Sequence, residues 1–210
     1  MRGQRGDTII EVLFAVMVFS LVAVGGLSLM TQGTALAQRA LEIGLVRQQM
    51  DAQADALRYL NRAYVADYGK NGGATQMWKK VVEDNAVPLA SDFTSIADPL
   101  NCHLPNSSDM FALDLTKLNG NPLLVPRPAT STSSTFAQVR DDGSSVYADG
   151  IWIQAVRWPD LTTGSAADPA PSSAKQAGYY DFHIRACWNT PGQQRPVTLG
   201  TIVRLYEPRG

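Results

Sequence analysis

The chain has 210 residues, of which 45% are hydrophobic, and a formal net charge of -1. This length fits one or two domains. Beyond residue 66 the chain carries 12 Lys/Arg and 14 Asp/Glu, so it lacks the broad positive charge with which nucleic-acid-binding domains attract phosphates. The distribution of apolar residues is more informative than their number, because no charged residue occurs between Val12 and Gln38.

The N-terminus combines a short basic stretch with a long apolar one. Residues 1–6 contain two arginines, and residues 9–30 are apolar apart from Glu11 and two serines. About 20 apolar residues in a helix span the hydrocarbon core of a bilayer, which is about 30 Å thick. Since the positive charges precede the apolar run, the positive-inside rule keeps residues 1–6 in the cytoplasm and exports the rest.

Three interpretations of this segment compete. A secretory signal peptide would be cut after Ala35-Leu36-Ala37, which has the small-residue pattern of a cleavage site, but the apolar run is longer than usual and contains a charge. A signal anchor that is never cut accounts for the length and gives Glu11 no role. The third interpretation depends on the octapeptide Gly6-Asp7-Thr8-Ile9-Ile10-Glu11-Val12-Leu13.

This octapeptide, behind a basic leader and ahead of an apolar run, resembles the prepilin signature of type IV pilins and related proteins. In that family a prepilin peptidase cuts after the glycine on the cytoplasmic side, and the glutamate is the fifth residue of the mature chain. The resemblance implies a leader of residues 1–6, a cut between Gly6 and Asp7, and Asp7 as the N-methylated N-terminus. The family usually begins its mature chain with phenylalanine or another apolar residue, and the polar Asp7 departs from that pattern.

The resemblance also gives Glu11 a role in subunit assembly. A lone carboxylate in a membrane span costs up to about 3 kcal/mol. In the family this glutamate is thought to pair with the N-terminal amine of a neighbouring subunit, and a side chain that simply reaches the headgroup region is the alternative. We expect the carboxylate of Asp7 to weaken the pairing. The tripeptide Arg5-Gly6-Asp7, known from cell adhesion, would be split by the cut.

The helical pattern continues beyond the apolar run. Between the membrane-spanning residues 7–30 and the end of the pattern, residues 31–67 form an amphipathic stretch with apolar residues seven apart: Leu36, Ile43, Met50, Leu57 and Tyr64. The pattern predicts one helix about 90 Å long, whose apolar face packs on a following domain or forms a coiled coil. Gly25-Gly26 are either a weak point of this helix or a site of close helix packing.

Residues 68–210 are expected to form an exported domain, which makes the fold α+β. Polar stretches rich in Pro, Gly and Ser predict surface loops at 119–150 and 159–178. A long helix followed by an antiparallel sheet is also the fold that the resemblance implies. Local patterns predict a short helix at 77–83, a short strand at 109–115, and antiparallel strands with one buried face at 151–158, 179–188 and 197–206.

The chain has two cysteines, Cys102 and Cys187. In an exported domain they are expected to form one disulfide, whereas in a cytosolic domain they would be free thiols. Cys187 falls on the polar face of its strand. A bond to Cys102 would hold the loop that carries Cys102 against the sheet. Such a bond, which closes a loop of about 85 residues, contributes about 2–4 kcal/mol.

No nucleotide-binding, hydrolase or metalloprotease motif occurs in the sequence, so we expect no enzyme activity, no cofactor and no metal site. His103 and His183 have no neighbours at the spacing of zinc ligands. The stretch Asp141-Asp142-Gly143, with Asp149 nearby, has some likeness to a calcium loop. Asp-Gly is also a common turn, and we favour that interpretation.

These features predict a minor pilin or pseudopilin, a structural subunit of a type IV pilus-like filament that is anchored in the membrane before assembly and exposed at the cell surface afterwards. The resemblance implies other pilin subunits, the prepilin peptidase, the cytoplasmic membrane and the pilus assembly platform as partners. Filaments of this family serve adhesion, motility, DNA uptake or secretion, so DNA and a host cell surface are further candidate partners. Trp152 and Trp158 would support DNA contact if they faced outward, although core positions are the simpler explanation. The alternatives are a membrane-anchored surface binding protein that never polymerises and an enzyme released after Ala37.

Overall fold

A computed structural model of the chain describes residues 7–70, 72–87, 102, 110–115, 132–141, 143, 146–158 and 178–208. The chain divides into two compact units, Met1–Gly44 and Leu45–Gly210. Helix α1 spans Asp7–Ala66 and passes through the boundary between them. The predictions for Gly6, for His103 and for the loop residues 119–131 and 159–177 lie outside the described residues.

The first unit contains α1 up to Gly44. Every side chain described from Ile9 to Gln38 is exposed, and the helix continues through Gly25-Gly26 without a break. The apolar face predicted to begin at Leu36 is not covered there, since Leu36 is 67% exposed. An 18-residue window of α1 has a mean hydropathy of 2.5 and no buried residue, so this helix has the length and composition to cross a membrane.

In its described residues, the second unit contains the remainder of α1, the short helix α2 and six strands. The long strands β4, β5 and β6 pair antiparallel, and β1 pairs parallel to β4, in the order β1-β4-β5-β6. The three long strands lie where the sequence predicts them, and the α+β class is confirmed. The bounds are α2 Gly73–Val81, β1 Ala86–Val87, β2 Gln138–Asp141, β3 Val146–Asp149, β4 Ile151–Trp158, β5 Tyr179–Trp188 and β6 Val197–Tyr206.

The core of the second unit forms against one face of α1 and one face of the sheet. Tyr64 of α1 stacks on Trp78 of α2, with ring centroids 5.1 Å apart. Trp78 meets Tyr180 and Phe182 of β5 edge-on, at 5.7 and 6.2 Å, which is a favoured arrangement of aromatic rings. Most buried residues of α1 recur with the helical period: Val46, Met50, Gln53, Ala54, Leu57, Leu60 and Tyr64.

The loop predicted over residues 119–150 contains a β-hairpin. Strands β2 and β3 pair antiparallel, from Gln138 opposite Asp149 to Asp141 opposite Val146. Gly143 in the turn has a φ of +85°, and its N–H donates to the carboxylate of Asp141 at 2.8 Å. The loop prediction is therefore wrong for residues 138–141 and 146–149, which form two short strands.

The shorter predicted elements also differ in the structure. The helix predicted over residues 77–83 begins at Gly73 and ends at Val81. Among the described residues, the strand predicted over residues 109–115 is reduced to isolated bridge positions at Phe111 and Leu113, and Phe111 exchanges backbone hydrogen bonds of 2.9 and 2.7 Å with Ile153.

The alternation along the strands predicts one buried face, and this is wrong for β4 and β5. Trp152, Asp181 and His183 lie on the face opposite Phe182, and none of them is more than 9% exposed. Both faces of these two central strands are therefore covered. Polar residues at every second position do not by themselves mark a solvent-facing side when they find partners inside the protein.

Candidate functional site

The apolar half of α1 is the first candidate for a functional segment. Three of its hydroxyl groups are satisfied within the helix: Ser20 donates to the carbonyl of Val16 at 2.7 Å, and Thr31 and Thr34 each donate to a carbonyl three residues back at 2.9 Å. Such groups need neither water nor a partner. The segment is therefore suited to apolar surroundings along its length.

Glu11 is the exception in this segment. Its side chain is exposed, and within the described residues it forms no ion pair. Asp7 is the first residue of α1, so Glu11 lies about one helical turn from it. The cut between Gly6 and Asp7, the methylation of Asp7 and the assembly role of Glu11 stay predictions.

Cys102 and Cys187 form a disulfide, with their Cα atoms 5.8 Å apart. Cys187 is 2% exposed and clusters with Met110 and Trp152, against which Cys102 packs. The bond expected from the sequence is thus present, and it links positions 85 residues apart. It covers the face of β5 that the alternation assigns to polar residues, and it holds Cys102 against the sheet.

Gln53 is a structural residue that sequence reasoning missed. It is fully buried on the sheet-facing side of α1. Its amide nitrogen donates to the carbonyl of Leu113 at 2.8 Å, and its amide oxygen accepts the N–H of Leu113 at 2.9 Å. The side chain pairs with the backbone as a strand would, and it fixes residues 110–115 in place. The available signal was an amide within an otherwise apolar stripe.

Two bidentate ion pairs connect the ends of the long strands. Arg204 of β6 contacts both carboxylate oxygens of Asp181 on β5 at 2.8 Å. Arg157 of β4 contacts Glu207 at 2.9 and 3.0 Å, and Glu207 also accepts the N–H of Gly178 at 3.1 Å. These paired forks give directional contacts between planar groups. The first pair joins the neighbouring strands β5 and β6, and the second joins β4 to the residue that follows β6, across β5.

Tyrosines of the core have perturbed pKa values that follow from their surroundings. Burial raises the pKa of Tyr64 to about 12, and the nearby carboxylates of Glu83 and Glu207 add to the increase. Burial also raises the pKa of Tyr180, again with a contribution from Glu207. Both phenols therefore stay protonated at neutral pH and serve packing.

Side chains that could carry chemistry are dispersed over the described part of the chain. No three His, Cys, Asp or Glu side chains meet there as a metal site. Asp141 is engaged in the Gly143 turn, and Asp149 accepts a hydrogen bond from Ser133 at 2.9 Å. Burial lowers the pKa of His183, so its imidazole is neutral at pH 7. The turn interpretation accounts for the contact of Asp141, whereas Asp149 lies in β3 and its partner Ser133 is outside the turn.

The two tryptophans considered for outward contacts differ in exposure. Trp152 is 1% exposed and belongs to the core, so it does not face outward. Trp158 is half-buried and stacks on Tyr179, with ring centroids 6.4 Å apart. Packing among the described residues explains neither tryptophan as a contact site, and it does not cover the apolar half of α1 that contains Glu11.

Comparison with protein-family models, curated proteins and solved structures finds no match to this chain.

Proposed function

We propose that the chain is a subunit of a type IV pilus-like filament, a minor pilin or pseudopilin that a prepilin peptidase processes after Gly6. The observation that carries the proposal is the exposed, uncharged half of α1, interrupted only by Glu11 close to Asp7. A helix of this composition is stable in a bilayer, where its backbone groups are satisfied internally. It is equally stable against the same helix of neighbouring subunits. A filament subunit occupies these two surroundings in turn.

Glu11 is the residue that aligns one subunit with the next. Cleavage after Gly6 creates an α-amino group on Asp7, and a carboxylate in apolar surroundings is strongly stabilised by such a cation. The amine of a neighbouring subunit meets Glu11 and fixes the axial position of the two helices. The carboxylate of Asp7 competes for the same amine, so the pairing is weaker here than with an apolar first residue.

The second unit is the exported part and forms the filament surface or tip. Its disulfide, Cys102–Cys187, suits an oxidising compartment outside the cytoplasm. The partners of the chain are other subunits, the prepilin peptidase, the cytoplasmic membrane and the assembly platform. The outer surface contacts its target, a host cell surface or DNA, by binding and without chemical conversion.

Replacing the carboxylate of Glu11 tests this function in cells that make the filament and the peptidase. We expect Glu11→Gln to leave the membrane level of the protein unchanged and to lower its share in sheared filaments at least about tenfold, as expected when an ion pair in apolar surroundings is lost. Ser20→Ala is the matched control, because the Ser20 hydroxyl bonds only within its own helix. Incorporation of Glu11→Gln at the level of the unmodified protein would exclude the assembly role.

A further inference from the structure

The outer edge of β6 is unusually open for a strand of this length. β6 is the last strand in the sheet order, and no described strand pairs with its far edge. Gly200, Thr201 and Ile202 are exposed, and Ile202 is 60% exposed. The ten residues contain no proline and one charged residue, Arg204. Prolines and charged side chains usually protect a sheet edge, and an edge that lacks them can pair with another strand.

The backbone groups that face this edge can be assigned from the ladder with β5. Glu207 donates its N–H to the carbonyl of Gly178 at 2.9 Å, which continues the pairing of the two strands. In an antiparallel strand, successive residues direct their backbone groups to alternate edges. The odd-numbered residues therefore face β5, and the N–H and C=O groups of Gly200, Ile202 and Arg204 face the open edge.

A groove of about 270 Å³ lies between α1 and this part of β6. Its lining combines Arg47, Met50 and Asp51 of α1 with Leu199, Gly200 and Thr201 of β6. Met50 is 4% exposed and provides an apolar floor. Arg47 and Asp51 are exposed, and within the described residues neither forms an ion pair or a side-chain hydrogen bond. The groove thus presents one cation and one anion that no side chain in the described part of the chain pairs with.

The spacing of these two charges matches the period of a strand. Arg47 and Asp51 are four residues apart in a helix, which is about 6 Å along its axis. Alternate side chains on one face of a strand are about 6.6–6.8 Å apart. Here α1 and β6 run in the same direction, because Arg47 and Asp51 line the groove beside Leu199–Thr201 and Asn61 donates to the carbonyl of Tyr206 at 3.1 Å.

We propose that this edge binds an extended segment of a partner polypeptide by strand addition, with a basic and an acidic residue two positions apart facing the groove. Antiparallel pairs are slightly more stable than parallel ones, so the segment runs opposite to β6. Its base then comes first, beside Asp51, and its acid second, beside Arg47. A second copy of β6 fits less well, since its groove-facing residues would be the uncharged Leu199, Thr201 and Val203.

Two synthetic peptides with reversed charge order test the site on the full chain in detergent micelles. The first is acetyl-Thr-Val-Lys-Val-Glu-Val-Thr-amide, and the second exchanges its Lys and Glu. We expect the chain to prefer the first peptide by about threefold to tenfold in Kd, the range that two exposed ion pairs supply. We expect the double variant Arg47→Glu/Asp51→Lys to invert that preference while it keeps the same fold by circular dichroism.

The backbone part of the site has its own matched pair of variants. Ile202→Pro removes an N–H that faces the open edge and leaves the β5 ladder intact, so we expect at least about a tenfold loss of affinity for both peptides. Ile202→Thr keeps the N–H and a strand-forming side chain, and its binding is expected to be unchanged.

Three results would overturn the proposal: no peptide binding at millimolar concentration, Ile202→Pro that binds like the unmodified chain, or a charge preference that Arg47→Glu/Asp51→Lys does not invert. A concentration-dependent dimer that Ile202→Pro abolishes, without peptide binding, would assign the edge to a second copy instead. All these outcomes are independent of processing at Gly6.

Discussion

The two halves of α1 belong to one helix but differ in the burial of their side chains. From Ile9 to Gln38 all side chains are exposed, whereas from Val46 to Tyr64 buried and exposed residues alternate with the helical period. The second half finds its apolar cover within its own chain, on α2 and the sheet. The first half has none there, although it is the more apolar of the two. Large exposed apolar surfaces mark interaction sites, and this helix has the length and composition to cross a membrane.

The largest expected difference between the halves is in the cost of losing a leucine. Leu57 is fully buried, whereas Leu21 is 65% exposed. We expect Leu57→Ala to lower the free energy of unfolding of the second unit by about 2–5 kcal/mol, the usual cost of such a cavity. We expect Leu21→Ala to leave it unchanged. Urea unfolding followed by tryptophan fluorescence in micelles measures both, and equal effects would remove the distinction between the halves.

Removing the disulfide is expected to have the next largest effect, and again only on the second unit. Replacing both Cys102 and Cys187 with serine releases a link between positions 85 residues apart. We expect a loss of about 2–4 kcal/mol in the free energy of unfolding, because the unfolded chain gains freedom. The reduced unmodified chain is the control and should unfold at the same urea concentration as the double variant. No change on reduction would mean that the bond contributes nothing to stability.

Gln53 gives a sharper test within the second half of α1. Gln53→Leu keeps the approximate size of the side chain but leaves the N–H and C=O of Leu113 unpaired in the interior. We expect a loss of about 1–3 kcal/mol in the free energy of unfolding. Gln48→Leu, on the exposed side of the same helix, is expected to change it by less than about 0.5 kcal/mol. Similar values for the two variants would mean that Gln53 is not needed to hold residues 110–115.

The smallest expected effect is the pH dependence from His183. Burial lowers its pKa, with Asp181 opposing and Arg185 adding to the decrease. The unfolded chain therefore takes up this proton at higher pH than the folded chain, so the free energy of unfolding falls as the pH drops through about 6.5, the unfolded value. We expect His183→Gln to lose less stability than the unmodified chain between about pH 7.5 and pH 5. Glu83, whose pKa burial raises, contributes equally to both proteins, and identical pH profiles would contradict the assignment.

Local patterns in the sequence predict the long elements well. The apolar run predicts the first half of α1, and the alternation of apolar and polar residues predicts β4, β5 and β6. The same alternation fails to predict which faces are buried, because the cover of β5 comes from distant positions such as Met110 and Cys102. The β2–β3 hairpin was missed because its strands are only four residues long.

The candidate sites also differ in whether a local sequence pattern predicts them. The cysteine pair follows from counting two cysteines in an exported domain. Gln53 and the groove beside Arg47 depend on partners far away in the sequence, at Leu113 and in β6, which no local pattern reveals. For Glu11 the opposite holds: the sequence motif predicts a role in assembly, whereas no ion pair within the described residues points to one.

The most direct test of processing as a filament subunit is the mass of the mature N-terminus, measured on the full chain from cells that make a prepilin peptidase. We expect the mature chain to start at Asp7. A Gly6→Val variant should keep Met1, whereas Gly3→Val, within the same leader, should still be cut. An unmodified chain that begins at Met1, or one that begins after Ala37, would contradict processing as a filament subunit.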